Sequence, residues 1–566
     1  MALRIGTRSS ELAIWQAKSV QNELFQAGIE SVLVEQTSAG DRSLGGNLST
    51  SVGQFIHSID KNLLTGEIDI SVHSSKDVPV EGQTEISSLA YMKRGVTSDL
   101  IIVKKDAKIP LLEEVLDDES SHDIAEILHY FQRGSTIGTV SGRRQSLILN
   151  QRPDLIPLSV RGHVETRLSR LLESRVDGLV LAEVGLQRLS QTSALDPFKG
   201  KFSAFRINEH HWPTAPGQGA VSVHCLSERY DELSNIRAIL NHEVTEEDVE
   251  AERNILKQLG GGCLYPAGVR VNQGVGNVAI SPSSWRKDIS EGREFKVKHV
   301  RGLVTELDLE LPKNTQHNPI NLTSDRKIIS TLNSDRISVV LAQKGIPMQN
   351  LPVVDLQPIV ESWPDEVISK GSKKKDWPYL ILTSPFAARC AVEISKLKGD
   401  YARIQWLAIG EGTARACFRM GHTVAICGKS RNSRELLDYI TKKIPKSTQL
   451  LLPRSSESSE ILLDGLTSEG FEVISWIGYN NKPKSKISAN INQDDVLLLS
   501  SSSSAISWSE NKLNVPNKII CMGENAKKTI QSLDWFSGTE VSVLNGPTTD
   551  FLVQWWSENG GVLIET

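Results

Sequence analysis

A thiol, a carboxylate and a set of arginines are the side chains of this sequence that could do chemistry together. Cys263 follows Gly261-Gly262 and precedes Leu264-Tyr265-Pro266, so its thiol lies on a flexible turn and not in a packed element. Asp77 stands upstream, in the segment His73-Ser74-Ser75-Lys76-Asp77-Val78-Pro79. A cysteine in a glycine turn suits covalent attachment, and Asp77 and the arginines would face whatever is attached. This combination predicts chemistry on a bound polycarboxylate.

The arginines and several hydroxyl side chains lie at the ends of predicted strands. Guanidinium groups bind carboxylates in two-point fashion and stay charged. Because ligands collect at the carboxyl ends of strands in open α/β sheets, we expect a shared cleft, although a solvated surface role stays open for any single arginine. The residues concerned are Arg8, Ser10, Thr139, Ser141, Arg143, Arg144, Arg161, Arg167 and Arg188.

Asp77 has two interpretations. An aspartate before a proline is a common turn residue, and Val78-Pro79 follows it directly. The functional alternative is a carboxylate that accepts a hydrogen bond from a polarised N–H and transfers protons. Lys76 beside it would help to keep Asp77 ionised.

Composition excludes several classes of protein. The chain of 566 residues is too long for one core and should hold several domains. A net charge of -5 argues against general nucleic-acid binding, and no apolar run is long enough for a membrane span. The six cysteines form no CxxC pair or zinc-ligand spacing, so we expect no metal. With no leader pattern at its start, we expect a cytoplasmic protein.

Apolar runs alternate with helical patterns, which predicts α/β domains with mixed, mostly parallel sheets. A segment rich in proline and glycine, 212–219, predicts a hinge between domains, and Thr245–Leu259 predicts a helix that ends just before Cys263. The polar stretch 313–325 predicts a linker. Beyond it, a strand ending in hydroxyl residues and then a strand ending in a glycine turn occur twice, at 379–414 and 496–525, which predicts two similar lobes.

Several motifs together resemble the porphobilinogen deaminase (hydroxymethylbilane synthase) family over residues 1–312. They are Thr7–Gln16, His73–Pro79, Gly138–Gln145, Arg152–Leu155, Arg161–Leu168, Gly217–Ala220 and Gly261–Pro266. The resemblance implies two periplasmic-binding-protein-like α/β domains, at 1–98 with 212–230 and at 102–208. A small α+β domain at 236–312 would carry the cofactor cysteine. Where the family has a lysine after a mobile loop, this chain has Val52, which leaves the steering of incoming substrate open.

The resemblance also implies roles for the candidate residues. Cys263 would carry a dipyrromethane cofactor in thioether linkage. Asp77 would hydrogen-bond the pyrrole N–H groups and stabilise the azafulvenium cation formed when ammonia leaves, at each of four condensations. Lys76 and the arginines and hydroxyl residues named above would bind the acetate and propionate arms. A cationic intermediate needs an anion, and a chain of carboxylates needs guanidinium groups, so this agrees with the interpretation from the residues alone.

Residues 326–566 resemble uroporphyrinogen-III synthase, a two-lobed α/β enzyme that uses no metal. The resemblance implies closure of the linear tetrapyrrole, hydroxymethylbilane, with inversion of its last ring. Tyr479 is the candidate catalytic residue, although a tyrosine at a strand end is often structural. Further candidates for the cleft are Thr383, Ser384, Thr413, Ser502 and Ser504.

The sequence therefore predicts a bifunctional enzyme of tetrapyrrole (haem) biosynthesis that acts on porphobilinogen and hydroxymethylbilane, with no nucleic-acid or membrane partner. It leaves the oligomeric state open, with a monomer favoured. Two alternatives stay open. The C-terminal half could be a non-catalytic domain, or hinged lobes with an arginine-lined cleft could form a solute-binding or effector-sensing protein. Fusion makes physical sense because free hydroxymethylbilane can close without inversion, and a tethered second enzyme raises the chance of capture.

Overall fold

The structure is a computed structural model that describes residues 2–36, 57–80, 83–261, 265–311, 326–333, 336–546 and 548–563. Cys263, Val52 and the expected linker 313–325 lie outside the described residues. The chain divides into two compact units. The first comprises residues 1–285, 295–314 and 421–426, and the second comprises 286–294, 315–420 and 427–566.

The strands alternate with helices along most of the chain. The strands before residue 312 are β1 (Leu3–Arg8), β2 (Ser31–Gln36), β3 (Ile70–Ser74), β4 (Ile86–Tyr91), β5 (Asp99–Lys104), β6 (Thr136–Gly138), β7 (Ile156–Leu158), β8 (Gly178–Ala182), β9 (Phe202–Arg206), β10 (Val221–Leu226), β11 (Ala267–Asn272), β12 (Val275–Ile280) and β13 (Lys298–Leu303). The later strands are β14 (Ile328–Ser330), β15 (Met348–Asn350), β16 (Val354–Pro358), β17 (Tyr379–Leu382), β18 (Gln405–Ala408), β19 (Ile426–Cys427), β20 (Leu450–Ser455), β21 (Val473–Pro483), β22 (Val496–Leu499), β23 (Lys518–Cys521) and β24 (Glu540–Val543).

The helices follow the same division. Those of the first half are α1 (Glu11–Gln26), α2 (His57–Leu64), α3 (Leu112–Asp117), α4 (Ile124–Leu128), α5 (Gly142–Gln151), α6 (Val164–Leu172), α7 (Glu183–Ser190), α8 (Ser234–Leu240), α9 (Glu243–Gln258) and α10 (Trp285–Ser290). Those of the second half are α11 (Arg336–Gln343), α12 (Pro385–Leu397), α13 (Gly399–Arg403), α14 (Glu411–Arg419), α15 (Ser433–Lys443), α16 (Ile461–Ser468), α17 (Ser502–Glu510), α18 (Glu524–Gln531) and α19 (Thr549–Glu558).

The first unit contains two five-stranded sheets of related design. Their strand orders are β2-β1-β3-β10-β4 and β7-β6-β8-β5-β9. In the first sheet β1 pairs in parallel with β2 and β3, whereas β10 runs antiparallel to β3 and β4. In the second sheet β6 pairs in parallel with β7 and β8, and β5 runs antiparallel to β8 and β9. A three-stranded antiparallel sheet, β11-β12-β13, completes the unit.

The expectation of mostly parallel sheets is wrong for these two sheets, because half of their pairings are antiparallel. The cause is the way the chain crosses between them. It passes from β4 directly to β5, and it returns from β9 to β10 through the segment 207–220. A strand that arrives from another sheet, without a crossover helix, is free to enter antiparallel.

Helix α1 shows why the sequence folds as it does in the first sheet. Ser10 caps its start by accepting a hydrogen bond from the Ala13 amide. Ala17, Val20 and Leu24 follow at helical spacing and are fully buried against β1, β3 and β10. Burying each of the larger side chains contributes about 1.5–3 kcal/mol. This packing fixes the ends of β1 and β3. Arg8 is the last residue of β1, and Asp77 lies shortly after β3.

The second unit contains two sheets, and the chain contributes strands first to one, then to the other, and then to the first again. The first, β15-β14-β22-β23-β24, is parallel throughout its described pairings. The second has the order β16-β21-β20-β17-β18-β19. The chain leaves the first sheet after β15 and returns to it at β22, and the strands β16 and β21 at these passages pair antiparallel.

The internal repeat predicted from the sequence is confirmed by the caps of four helices. Ser384 follows β17 and accepts a hydrogen bond from the Ala387 amide at 3.0 Å, so it caps α12. Ser501 follows β22 and caps α17 in the same way, from the Ser504 amide at 3.2 Å. Gly410 and Gly523 occupy the cap positions of α14 and α18. A serine cap on one strand end and a glycine cap on the next therefore recur in both sheets.

Candidate functional site

Asp77 ends a short 3-10 turn, Ser75–Asp77, that follows β3. Its side chain is exposed, whereas Ser75 is buried beneath it. The Ser75 amide donates to the carbonyl of Ala220 at 3.1 Å, and the Val78 amide closes the turn on the Ser75 carbonyl at 3.2 Å. The turn therefore presents Asp77 outward from a buried base.

A glycine makes the close packing beneath this turn possible. Gly217 has a φ of +72°, and a Cβ on it would lie 2.6 Å from Ser75 Oγ and 3.1 Å from the backbone nitrogen of Lys76. Only glycine adopts this backbone conformation readily and also leaves the space empty. The hinge segment predicted at 212–219 therefore lies directly against the turn that carries Asp77.

Two cavities flank the turn. One, with about 440 Å³ of empty space that includes open solvent, contains Asp77, and the carboxyl end of β1 supplies Arg8 to it. Its other lining residues are Ser10, Leu12, Ala13, Gln16, Val72, His73 and Ser74. The second cavity, also about 440 Å³, is lined by Lys76, Val78, Val80, Ser141, Arg143, Ala215, Pro216, Arg253, Leu256, Tyr265 and Ala267. Tyr265 of the second cavity is the first described residue after Cys263 in the sequence.

Asp99 is the buried carboxylate that binds the arginines beside this site. The sequence alone did not single it out. It is fully buried, and it accepts hydrogen bonds from Arg143 Nη2 at 2.7 Å and from Arg144 Nε and Nη2 at 3.0 and 2.5 Å. Trp212 Nε1 and Gln218 Nε2 also donate to it, at 2.8 and 2.9 Å. Burial alone would raise the pKa of Asp99, but the guanidinium groups of Arg144 and Arg143 hold it well below its usual range.

Arg143 and Arg144 are therefore already engaged before any ligand binds. Arg143 Nη1 donates to the Pro213 carbonyl at 3.1 Å, and Arg144 Nη1 donates to the Val180 carbonyl at 3.0 Å. Arg143 nevertheless lines the second cavity. Its guanidinium group thus stands at the cavity edge with its orientation fixed by Asp99.

Lys76 is joined to the same network through Gln218. Its Nζ donates to Gln218 Oε1 at 3.2 Å, while Gln218 Nε2 donates to Asp99 and to the Thr97 carbonyl. Burial, and then the charge of Arg144, lowers the pKa of Lys76 to about 8. Residues of the first sheet, the second sheet and the hinge segment therefore meet at one polar centre.

The remaining cations of the cleft repel one another. Burial, and then the charge of Arg144, lowers the pKa of Arg167 to about 10, with Arg161 and Arg8 adding to the effect and Asp77 opposing it. Burial also lowers the pKa of Arg161 to about 10. Arg167 thus lies within electrostatic reach of Arg144, Arg161 and Arg8. This surplus of positive charge beside Asp77 fits a ligand that carries several carboxylates.

The hydroxyl candidates have structural roles in addition to their place at the site. Ser141 caps α5 by accepting a hydrogen bond from the Arg144 amide at 3.4 Å, and Thr139 Oγ1 accepts one from the Ser141 amide at 3.3 Å. Ser10 and Ser141 each line one of the two cavities, while Thr139 is buried. These caps explain why the strand ends carry hydroxyl side chains.

Arg188 binds the hinge segment, 212–219. Its Nη2 donates to the Gly219 carbonyl at 2.8 Å, and its guanidinium group lies 5.3 Å from the centre of the Trp15 ring. Burial lowers its pKa to about 10. The contacts of Arg188 therefore hold α7 against the hinge segment, on which Gln218 also lies.

Sequence reasoning missed Asp99, Gln218 and Arg253. Gln218 stands in a motif that carried the resemblance, but an amide next to glycines gives no sign of its partners. Asp99 opens an apolar strand, where an aspartate reads as a turn residue. The pairing with Arg143 and Arg144 joins positions more than 40 residues apart, so only the fold reveals it.

In the second unit, Tyr479 lies on β21 and is 6% exposed. Its hydroxyl group is 3.1 Å from Ser384 Oγ, and its ring packs at 5.2 Å against Phe386. Burial raises the pKa of Tyr479, partly offset by hydrogen bonds with Ser384 and Thr383. Three of the candidates are therefore brought together at the end of β17.

The other candidates of the second unit lie on different helices. Thr413 is buried in α14, where it follows the Gly410 cap. Ser504 is buried in α17, and its hydroxyl group lies 2.9 Å from Ser501 Oγ and 3.1 Å from Ser500 Oγ. Ser502 begins the same helix. The hydroxyl groups near Ser504 are therefore occupied with one another at the start of α17.

Comparison with known proteins decides the family. The family model described as "Porphobilinogen deaminase, dipyromethane cofactor binding domain" matches residues 3–233. The porphobilinogen deaminase of Trichlorobacter lovleyi is 36% identical over 270 residues, which are 47% of this chain and 77% of that protein. The chain belongs to the porphobilinogen deaminase family. The deaminase of Geobacter metallireducens gives a similar result, with 36% identity over 272 residues, 47% of this chain and 75% of its own length.

The second half carries a uroporphyrinogen-III synthase domain. The family model described as "Uroporphyrinogen-III synthase HemD" matches residues 335–541. A solved uroporphyrinogen-III synthetase from Helicobacter pylori aligns with 41% of this chain and 99% of its own, at 17% identity and a TM-score of 0.29, a likeness too low to carry an argument. The protein is thus a deaminase joined to a synthase, with a dipyrromethane cofactor domain in its deaminase half.

Two further observations concern the described residues alone. Each helix among them is too short or too polar to cross a bilayer. Within the same residues, no group of three or more histidine, cysteine or carboxylate side chains is arranged to hold a metal ion.

Proposed function

We propose that the deaminase half condenses four porphobilinogen units into hydroxymethylbilane on a dipyrromethane primer held by Cys263, and that the synthase half closes this product to uroporphyrinogen III with inversion of the last ring. The supporting observation is the turn of Asp77, which has a cavity on each side and a surplus of cations around it. One cavity suits the primer and the other suits an incoming substrate.

Cys263 is the cysteine best suited to carry the primer. The other five cysteines, Cys225, Cys390, Cys417, Cys427 and Cys521, are all buried. Burial raises the pKa of Cys225, Cys427 and Cys521 to about 11 and that of Cys390 to about 12, and it raises the pKa of Cys417 further. Because the thiolate is the reactive form, these five thiols are inert at neutral pH. Buried reduced thiols also support the expected cytoplasmic location.

The residues of the cleft fit the primer. A dipyrromethane supplies an anchored, electron-rich pyrrole end from which the chain can be extended. Lys76, Arg8, Arg144, Arg161 and Arg167 would bind the acetate and propionate arms of the primer and of the pyrrole units added to it. The charge of Arg144 lowers the pKa of both Lys76 and Arg167, so a bound carboxylate would stabilise these cations. Arg143 at the edge of the second cavity would bind with a fixed orientation, and Arg188 would act through the hinge.

Asp77 would act on the reacting atoms. Its exposed carboxylate would accept hydrogen bonds from pyrrole N–H groups and stabilise the cation that forms when the substrate loses ammonia. It would also take up the proton that each condensation releases. Its location supports this role, because Asp77 lines one cavity while Lys76 and Val78 on either side of it line the other.

In the synthase half, Tyr479 would act as a hydrogen-bond or proton donor during ring closure. Burial raises its pKa, so its hydroxyl group stays protonated at neutral pH. Ser384 would orient that hydroxyl group. The domain boundaries expected from the sequence stay part of this proposal, and the two lobes correspond to the two sheets of the second unit.

Mass spectrometry of the intact, purified chain tests the deaminase proposal. We expect an adduct of two pyrrole units that maps to Cys263, and successive additions when porphobilinogen is supplied. The Cys263→Ser variant should lack the adduct, whereas Cys225→Ser should keep it. An unmodified Cys263 in active protein would refute the proposal. An unmodified Cys263 in protein without activity would favour the solute-binding alternative.

The Asp77→Ala variant tests the role of the carboxylate. We expect it to lower kcat by about 10²–10⁴-fold, which is the usual contribution of an acid or base in the reaction. Asp77→Glu, which keeps the carboxylate, should retain more activity than Asp77→Ala. Normal turnover by Asp77→Ala would remove Asp77 from the chemistry.

A further inference from the structure

Arg253 joins helix α9 to the backbone that leaves Asp77. Its Nη1 donates to the Val78 carbonyl at 3.3 Å, and its Nη2 donates to the Pro79 carbonyl at 2.6 Å. The planar guanidinium fork is suited to hold two successive carbonyl groups in one geometry. Arg253 is also part of the lining of the cavity that contains Lys76 and Tyr265.

The helix backbone at Arg253 is held in place because the neighbouring residue, Glu252, is fully buried and accepts several hydrogen bonds. Glu252 accepts two hydrogen bonds from Arg94, both at 2.9 Å, and one from the Gly217 amide at 2.7 Å. The Val271 amide donates to it as well, at 2.9 Å. Helix α9 is therefore fixed to the hinge segment and to β11 at the position next to Arg253.

The backbone of the Asp77 turn is held at its start and at its close. Its backbone is closed by the bond from the Val78 amide to Ser75 and is held at its start by the bond from the Ser75 amide to Ala220. Pro79 has no amide hydrogen to donate. The two bonds from Arg253 therefore constrain the exit of the turn, directly after the carboxylate.

We propose that Arg253 is a positioning residue that sets the place of the Asp77 carboxylate by holding the backbone directly after it. Helix α9, which carries Arg253, extends from Glu243 to Gln258, and Cys263 follows five residues later in the sequence. The inference rests on the proposed function, since it assumes a primer on Cys263 and chemistry at Asp77.

The Arg253→Met variant in the full chain tests this role. Primer loading, measured by intact mass, should stay complete. The kcat for porphobilinogen consumption should fall by roughly 10–100-fold with KM changed by less than about threefold, because small misplacements of a reacting group have effects of this size. Hydrogen exchange in the peptide that covers residues 72–80 should become faster. Arg253→Lys keeps the charge but loses the fork, and it should give a smaller loss of kcat and remain usable if Arg253→Met folds poorly.

Lys257→Met is the matched control, because Lys257 is exposed on the same helix. It should leave kcat, loading and exchange unchanged. Unaltered kcat and exchange in both Arg253 variants would overturn the inference. So would a loss of primer loading, since Arg253 would then serve the anchor and not Asp77. An absent adduct in the wild-type chain would instead refute the proposed function itself.

Discussion

Two aspartates near the deaminase cleft have opposite surroundings. Asp77 is exposed at the end of its turn and lines one of the two cavities. Asp99 is enclosed by Arg143, Arg144, Trp212 and Gln218. The first carboxylate is available to a ligand, whereas the second neutralises cations that the ligand would otherwise have to neutralise. Asp99 thus allows a site for a polyanion to stay folded before the polyanion is bound.

Replacing Asp99 by asparagine should destabilise the protein strongly. The change keeps the shape but removes the charge that two buried guanidinium groups share, and breaking such a pair costs about 3–5 kcal/mol. Denaturant unfolding of the chain measures the loss. Asp196→Asn is a matched control, because Asp196 forms an exposed ion pair with Lys199, and such pairs contribute at most about 1 kcal/mol. Equal effects of the two changes would contradict the role given to Asp99.

Lys76 should make ligand binding depend on pH. The pKa of Lys76 in the folded protein is about 8, below its ordinary value. The positive charge of Lys76 therefore disfavours the folded state below pH 8. This penalty is relieved as the pH rises from 8 toward the ordinary pKa of a lysine. A bound carboxylate favours the charged form and raises the pKa again. Affinity for porphobilinogen should therefore fall as the pH rises through 8.

The dependence of kcat/KM on pH between about 7 and 9.5 checks this expectation. In Lys76→Arg, whose guanidinium stays protonated, the alkaline decline near pH 8 should be absent or shifted to higher pH. An identical decline in both proteins would assign it to another group.

At the scale of elements, the hinge segment and the Asp77 turn fit together only because residue 217 is glycine. Gly217→Ala would place a methyl group 2.6 Å from Ser75 Oγ at a φ of +72°, so the turn or the hinge must move. We expect a loss of about 1–3 kcal/mol in stability together with a lower kcat.

Gly28→Ala separates the effect of backbone strain from the effect of displacing the Asp77 turn. Gly28 has a φ of +80°, but a Cβ there meets nothing within 4 Å. This control should lose stability by a similar backbone effect and retain full activity. If Gly217→Ala also retains full kcat, the hinge does not position the turn.

Local patterns predicted many elements of this chain. The helix predicted at Thr245–Leu259, for example, extends from Glu243 to Gln258. The direction of β5 and β10 was not predictable, because it depends on which sheet the chain enters after each crossing. The candidate cations were visible as residue types. Their bonds to Asp99, Gln218 and the carbonyl of Gly219 were not, because each joins segments distant in sequence.

At the scale of the whole molecule, the two families in one chain act on consecutive steps. The product of the proposed deaminase reaction can close spontaneously without inversion, whereas the synthase product requires inversion of one ring. A tether raises the effective concentration of the second enzyme around the first product, and it does so without any channel. The linker expected at 313–325 would be sufficient for this effect.

The central claim is that this single chain both builds and closes the tetrapyrrole, and the isomer of the final product tests it most directly. The purified full-length protein is incubated with porphobilinogen, the products are oxidised, and the type I and type III uroporphyrins are separated by chromatography. The account predicts mostly type III from the wild-type chain and an increased share of type I from Tyr479→Phe. Mostly type I product from the wild-type chain would contradict it.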